Sequence, residues 1–341
     1  MKGLARSPIP RFEHLHRMTN DIGLFEHALL DMPRREGGYC VDDVARALVV
    51  VLRQPLPSLG VTRLADTYLD FTLRAVEPDG TVHNRMSVEG DWEDESGVGD
   101  WWGRAIWALG AAAIRAPRHD MRRRALDGFH LTAQQRPPDL MSLVFAALGA
   151  VEVLTEYPDD AGARGLLWDL ISFIGPIDLE SDWPWPEVRM RYSNGHVVEA
   201  LLVAGSSLDQ QDVRKQALGL LAFLLAEETN GDHLSPTPVG GRGPGDAKPA
   251  FDQQSIEVAA LADACARAYS LTHDDRWLTG VERSWAWFAG NNDVGAAMFD
   301  QATGAGYDGL ESDGPNMNQG AESTIAVIST AQHARELGLL K

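Results

Sequence analysis

Six times along the chain, an Ala- and Gly-rich helical stretch opens on polar residues. The stretches are VDDVARALVVVL, GDWWGRAIWALGAAAI, DLMSLVFAALGAVEVL, SNGHVVEALLVAG, DQQSIEVAALADACARAY and NQGAESTIAVISTAQ. They start near residues 42, 100, 140, 194, 253 and 319, at spacings of 58, 40, 54, 59 and 66 residues. Between them lie helical stretches of a second kind, such as VRKQALGLLAFLLAEE and MRRRALDGFHLTAQQ, which carry charge on one side. A helix that is apolar all round is buried all round, whereas an amphipathic one buries a single face. Six of the first kind alternating with the second predict an inner ring of helices inside an outer one, the all-α (α/α)6 barrel. An open solenoid of helical hairpins obeys similar packing rules, but its repeats keep a tighter period than these.

The 3.6-residue periodicity predicts helices over 42–53, 61–76, 100–115, 121–134, 140–156, 161–173, 194–206, 209–227, 253–270, 274–289 and 319–336. No long run alternates apolar and polar residues, so strands are scarce. The links 54–60, 116–120 and 157–160 are short; 77–99, 174–193, 228–252 and 290–318 are long and rich in Gly, Pro, Asp and Trp. The sixth inner helix has no partner after it. GLFEHALL, 23–30, is expected to be helical and to close the ring. A single domain over 1–341 follows, with 1–36 as an N-terminal extension packed against the ring.

In such a ring all inner helices run the same way, so their N-termini share one mouth, and the long loops lead into it. That mouth collects Asp42 and Asp43, Asp100 and Trp102, Trp183, Trp185, Glu187 and His196, Gln254 and Glu257, and Gln319 and Glu322. Arg35 and Tyr39 lie just before the first inner helix. Carboxylates accept hydrogen bonds from sugar hydroxyls, and indole rings stack on apolar sugar faces, so the expected ligand is a carbohydrate. The expected chemistry is acid–base catalysis at a glycosidic bond: one protonated carboxyl donates to the leaving oxygen, and a second carboxylate activates water or attacks the anomeric carbon. Asp43, Asp100, Glu257 and Glu322 are the candidate acids. Asp42 caps or binds, Trp102, Trp183 and Trp185 are candidate platforms, and Arg35, Tyr39, Glu187, His196, Gln254 and Gln319 complete the binding set. Capping is the competing structural role for either adjacent aspartate, with Asp43 the preferred site acid because it lies further into the helix.

Other classes are disfavoured. A formal net charge of -19 suits neither nucleic acid nor an anionic membrane. Two cysteines, Cys40 and Cys265, make neither a disulfide framework nor a zinc cluster, though one disulfide is open to them. PVGGRGPGDAKP lacks the Lys-Ser/Thr ending of a phosphate-binding loop, and there is no HExxH or EF-hand frame, so no cofactor and no metal are expected. MKGLARSPIPRFEHL lacks the apolar region of a signal peptide, and a cytoplasmic location is expected.

HRMTNDIGLFEHA, PRREGGYCVDDVARAL and NMNQGAESTIAVI resemble a group of bacterial six-hairpin glycosidase-like proteins, from about residue 14 to the end. Such domains occur alone or attached to glycosyltransferases. The resemblance implies the same toroid, a glycan substrate, possible mannosides among them, and a glycosyltransferase as a candidate partner. The Asp42–Asp43 pair resembles the paired aspartates of α-mannanases of this fold, although it stands on the first inner helix rather than on the helix where the mannanase pair is expected. A glycoside hydrolase is the leading expectation. A non-catalytic glycan-binding module and a sugar isomerase or epimerase with a histidine proton shuttle are the alternatives.

Overall fold

The computed structural model describes residues 10–340. After a short α1 (Glu13–Arg17), long helices follow in pairs: α2 (Val41–Arg53) with α3 (Leu59–Arg74), α4 (Asp100–Arg115) with α5 (His119–Thr132), and α6 (Leu140–Leu154) with α7 (Ala161–Ile174). The remaining pairs are α8 (Asn194–Ser207) with α9 (Gln211–Glu227) and α10 (Ser255–Thr272) with α11 (Asp275–Phe288); α12 (Ala321–Glu336) ends the series. Every expected long helix lies within two residues of these bounds. The even-numbered helices from α2 to α12 each pack on the next, and α12 packs back on α2, which closes the ring. The odd-numbered helices from α3 to α11 lie outside. This is the (α/α)6 toroid. No described helix is long and apolar enough to cross a membrane.

The Ala and Gly content of the inner helices follows from the distance between their backbones. A methyl group at Gly110 of α4 would overlap the carbonyl of Gly149 on α6, and one at Gly149 would overlap the carbonyl of Ile106. At Gly195 of α8, a methyl would land in the backbone of Ala260 on α10. Helices this close admit no side chain between them. The outer helices bury one stripe only: α9 buries Ala217, Leu220, Leu221 and Leu224.

Capping also differs between the rings. Ser58, Asp160 and Asp274 cap outer helices with their own side chains. Among the inner helices only α6 is capped this way, by Asp139; α2, α4, α8, α10 and α12 have no such bond from their N-cap residue. At α2, α8 and α12 the first amides donate instead to Asn84, Glu257 and Glu26 of other segments.

Among the described residues, strand is confined to four two-stranded antiparallel ladders: β1 (Ala28–Leu29) with β2 (Met32–Pro33), β3 (Tyr39–Cys40) with β4 (Arg85–Met86), β5 (Thr229–Asn230) with β6 (His233–Leu234), and β7 (Gly309–Glu311) with β8 (Gly314–Asn316). The β3–β4 ladder ties the loop before α4 to the start of α2. The segment 23–30 is not helical as expected. Phe25 bridges to Tyr39 and stacks on it at 5.0 Å, and residues 28–29 enter β1. The partner helix of α12 is instead the short α1. His14 Nε2 lies 2.8 Å from the Gln319 carbonyl, while the amides of Gln319 and Ala321 donate to Leu30 and Glu26. Residues 1–9 of the expected extension lie outside the described part. Cys40 and Cys265 are both buried and free.

Candidate active site

Acids in the first turn of α2, α4 and α12 meet two arginines one turn further in. Arg46 Nη2 donates to Asp42 at 2.9 Å and to Asp43 at 2.5 Å, and its Nη1 donates to Glu322 at 3.0 Å. Arg104 Nε lies 2.5 Å from the second oxygen of Asp42, with its guanidinium 4.0 Å above the Phe145 ring. Asp100 lies beside Asp42 and Arg104 and takes a 3.5 Å contact from Ser142 Oγ. Four carboxylates thus share two guanidinium groups.

Burial, with like charge beside it, raises proton affinity here. Burial pushes the Asp100 carboxyl up to about 6, with Asp139 and Asp42 adding to the shift and Arg104 opposing it. Burial likewise pushes Asp43 up to about 8, against Arg46 and with Asp42 and Glu322. Access separates the acids further. The Glu322 side chain is 40 % exposed and that of Asp42 22 %, but that of Asp43 only 6 %. Asp43 therefore faces inward rather than to the mouth, contrary to the preference for it. Neither aspartate caps α2. The cap residue is Cys40, and Asn84 supplies the acceptors: its carbonyl for Val41 N and its side chain for Asp42 N. The pair exists to hold arginines, not amides.

Other expected site residues have different duties. Glu257 caps the neighbouring helix: it accepts from the amides of Ser193 and Asn194 and from Asn194 Nδ2 at 2.8 Å, and burial raises it to about 8. Trp102 is fully buried, Trp185 nearly so, and Tyr39 is buried with its hydroxyl taking a bond from Asn20; none presents a face to a sugar. Trp183 remains part-exposed, its edge against Phe223 and its Nε1 donating to the Glu187 carbonyl. Glu187 pairs loosely with Arg191, Gln254 donates to Asp252, and exposed Arg35 lies over Phe25. Gln319 is buried beside α1, yet its side-chain oxygen has no partner.

Below Arg46 and Glu322 the ring encloses a cavity of about 30 Å³ lined by Val49, Val50, Trp107, His196, Ile256 and Ile325, among others. It has room for water but not for a sugar ring. His196 lies on its wall. Ser193 Oγ is 2.7 Å from Nδ1, Asp263 Oδ2 is 3.1 Å from Nε2, and the edge of Trp107 packs on the ring. Sequence reasoning passed over Asp263. Its one visible signal is an acid within the apolar run ALADACARA.

No family model matches the chain, and no curated protein does. Solved structures do. A cellobiose 2-epimerase from Bacillus thermoamylovorans superposes with a TM-score of 0.72 at 12 % identity, over 96 % of this chain and 95 % of that one. A sugar epimerase from a ruminal bacterium gives 0.71 at 13 % identity, over 96 % of each chain. A GH76 alpha-mannanase from Bacteroides thetaiotaomicron gives 0.64 at 11 % identity, over 96 % and 95 %. The shared feature is the six-hairpin toroid. At these identities the likeness is one of fold.

Proposed function

We propose that the protein is a carbohydrate-active enzyme, a glycoside hydrolase working at the mouth formed by the inner-helix N-termini. The observation that carries this reading is the inequality among the mouth carboxylates. Asp100, raised to about 6, keeps its proton in weakly acidic solution and is suited to protonate a leaving glycosidic oxygen. Glu322 is the most exposed of the three acids on Arg46 and is suited to act as the second carboxylate. Asp42, held by both arginines, accepts from sugar hydroxyls. Asp43 acts through Arg46 as a positioning residue. Trp183 offers the remaining aromatic surface. The glycan-acting neighbours support a sugar substrate, and the mannanase among them makes mannosides the first substrates to try.

A sugar epimerase is the second reading. It is favoured by His196 on the cavity wall, fixed through both ring nitrogens, and by the epimerases among the neighbours. The experiment is incubation with defined manno-, gluco- and galacto-oligosaccharides, followed by chromatography of the products. New reducing ends are expected. A changed monosaccharide without cleavage would replace the hydrolase by the epimerase. Binding without product would leave a glycan-binding module of the kind that accompanies glycosyltransferases.

A further inference from the structure

We propose that His196, Glu199 and Asp263 form a binding site for one divalent transition-metal ion, midway through the ring and separate from the carboxylate cluster at the mouth. His196 and Glu199 are one helical turn apart on the same face of α8, and Asp263 faces them from α10. One donor atom from each lies within 4.8 Å of the others. The three residues are 3 %, 2 % and 3 % exposed. In a site with bonds of ~2.1 Å, neighbouring donors stand about 3 Å apart, so small side-chain movements complete the geometry.

Two observations point to a ligand rather than to a closed ion-pair network. Glu199 Oε2 is buried without a hydrogen-bond partner, an expensive state for a carboxylate oxygen. The atoms not offered to the ion are already held, as the atoms behind metal ligands usually are. Ser193 Oγ engages His196 Nδ1; a proton on Nδ1 leaves the Nε2 lone pair free. Asp263 Oδ1 is held by Arg53 at 3.2 Å, Ser329 at 3.0 Å and His333 at 2.5 Å, which leaves Oδ2 directed at His196. Glu199 Oε1 faces Arg267 Nε at 3.5 Å. Without metal, a 3.1 Å hydrogen bond joins His196 Nε2 and Asp263 Oδ2; the ion would take its place and release its proton to solvent.

The site also has an entrance. A vestibule of about 670 Å³ opens at the C-terminal ends of the inner helices, and both Glu199 and Asp263 line it. One imidazole and two carboxylates, with no thiolate, suit manganese, iron, cobalt or zinc better than a copper(I) or iron–sulfur centre. Three protein ligands leave coordination positions for water on the vestibule side.

The test uses full-length protein stripped with a chelator, then titrated with Mn²⁺ followed by electron paramagnetic resonance and with Zn²⁺ followed by calorimetry. One ion per chain is expected. Glu199→Gln should weaken binding at least tenfold, whereas Glu152→Gln, at a buried acid on the same rim, should leave it unchanged. Pulsed resonance on the manganese complex should show coupling to one imidazole nitrogen. No saturable binding by folded wild-type protein, equal affinity in Glu199→Gln, or absence of the nitrogen coupling would each overturn the proposal. Glycan turnover is not needed for any of these readouts, so the hydrolase reading and this one fail separately.

Discussion

The two ends of the same six helices solve opposite electrostatic problems. At the N-terminal mouth, first-turn acids Asp42, Asp43, Asp100 and Glu322 outnumber Arg46 and Arg104. At the C-terminal end, Arg53 and Arg115 close the last turns of α2 and α4, and acids and arginines are matched: Glu152 with Arg115, Glu199 with Arg267 and Asp263 with Arg53. The helix dipole favours anions at one end and cations at the other, so each distribution suits its own end. The dipole alone would lower the acids at the mouth, so the proton affinities follow burial and charge balance against it. Asp43 and Asp100 are raised by burial among like charges. Asp263 is just as buried, yet Arg53 and its two histidine partners hold it well below the usual carboxylate range. An excess of acid stores protons for chemistry, whereas matched pairs hold structure or a bound ion.

The largest effect that would break this contrast is on turnover. Asp100→Asn should lower kcat/KM by about 10²- to 10⁴-fold with little change in folding. In wild-type protein, activity should fall as pH rises through about 6, where the Asp100 proton is lost. A variant with wild-type rates and an unchanged pH profile would remove Asp100 from the chemistry. Arg46→Met comes next. It leaves three carboxylates without their shared guanidinium and should cost about 3–5 kcal/mol in denaturant unfolding. A loss under 1 kcal/mol would mean that the mouth is not organised around Arg46. Gly110→Ala tests the close inner-ring contact and should cost about 1–3 kcal/mol, read as a drop in Tm.

The smallest effect is the sign of the pH dependence. Asp43 lies near 8 when folded, against an ordinary 3.8. The folded state therefore holds its proton longer, and this group makes stability fall as pH rises from about 4 to about 8. Asp263 is lowered, so its contribution is present above about 4 and is lost on further acidification. Asp43→Asn should flatten the stability loss between pH 5 and pH 8 by about 1 kcal/mol or more, measured by urea unfolding at each pH. An unchanged slope would remove Asp43 as its source.

Much of this architecture was legible in the residues. Ala and Gly at helical spacing mark the inner helices because close backbones exclude larger side chains, and one-sided charge marks the outer ones. The mouth was legible for a related reason: helices running the same way around a ring bring their first turns together. GLFEHALL misled because its periodicity is helical, while pairing and stacking with Tyr39 draw the chain into extended contacts. Trp102 and Trp185 looked like platforms because position along the chain shows that a residue is near the mouth, not whether its ring is buried.

The sequence by itself determined the six-fold alternation, the helix bounds and the gathering of acids at one end, all of which follow from local periodicity. The tertiary structure decided the roles. Adjacent residues on a helix point about 100° apart, so the rotation of α2 within the ring sends Asp43 inward and leaves Asp42 nearer the mouth. Glu257 is used by another helix's amides, 63 residues away from Asn194. Asp263 meets His196 and His333 across 67 and 70 residues. No local pattern encodes such meetings, because they arise only when the ring closes.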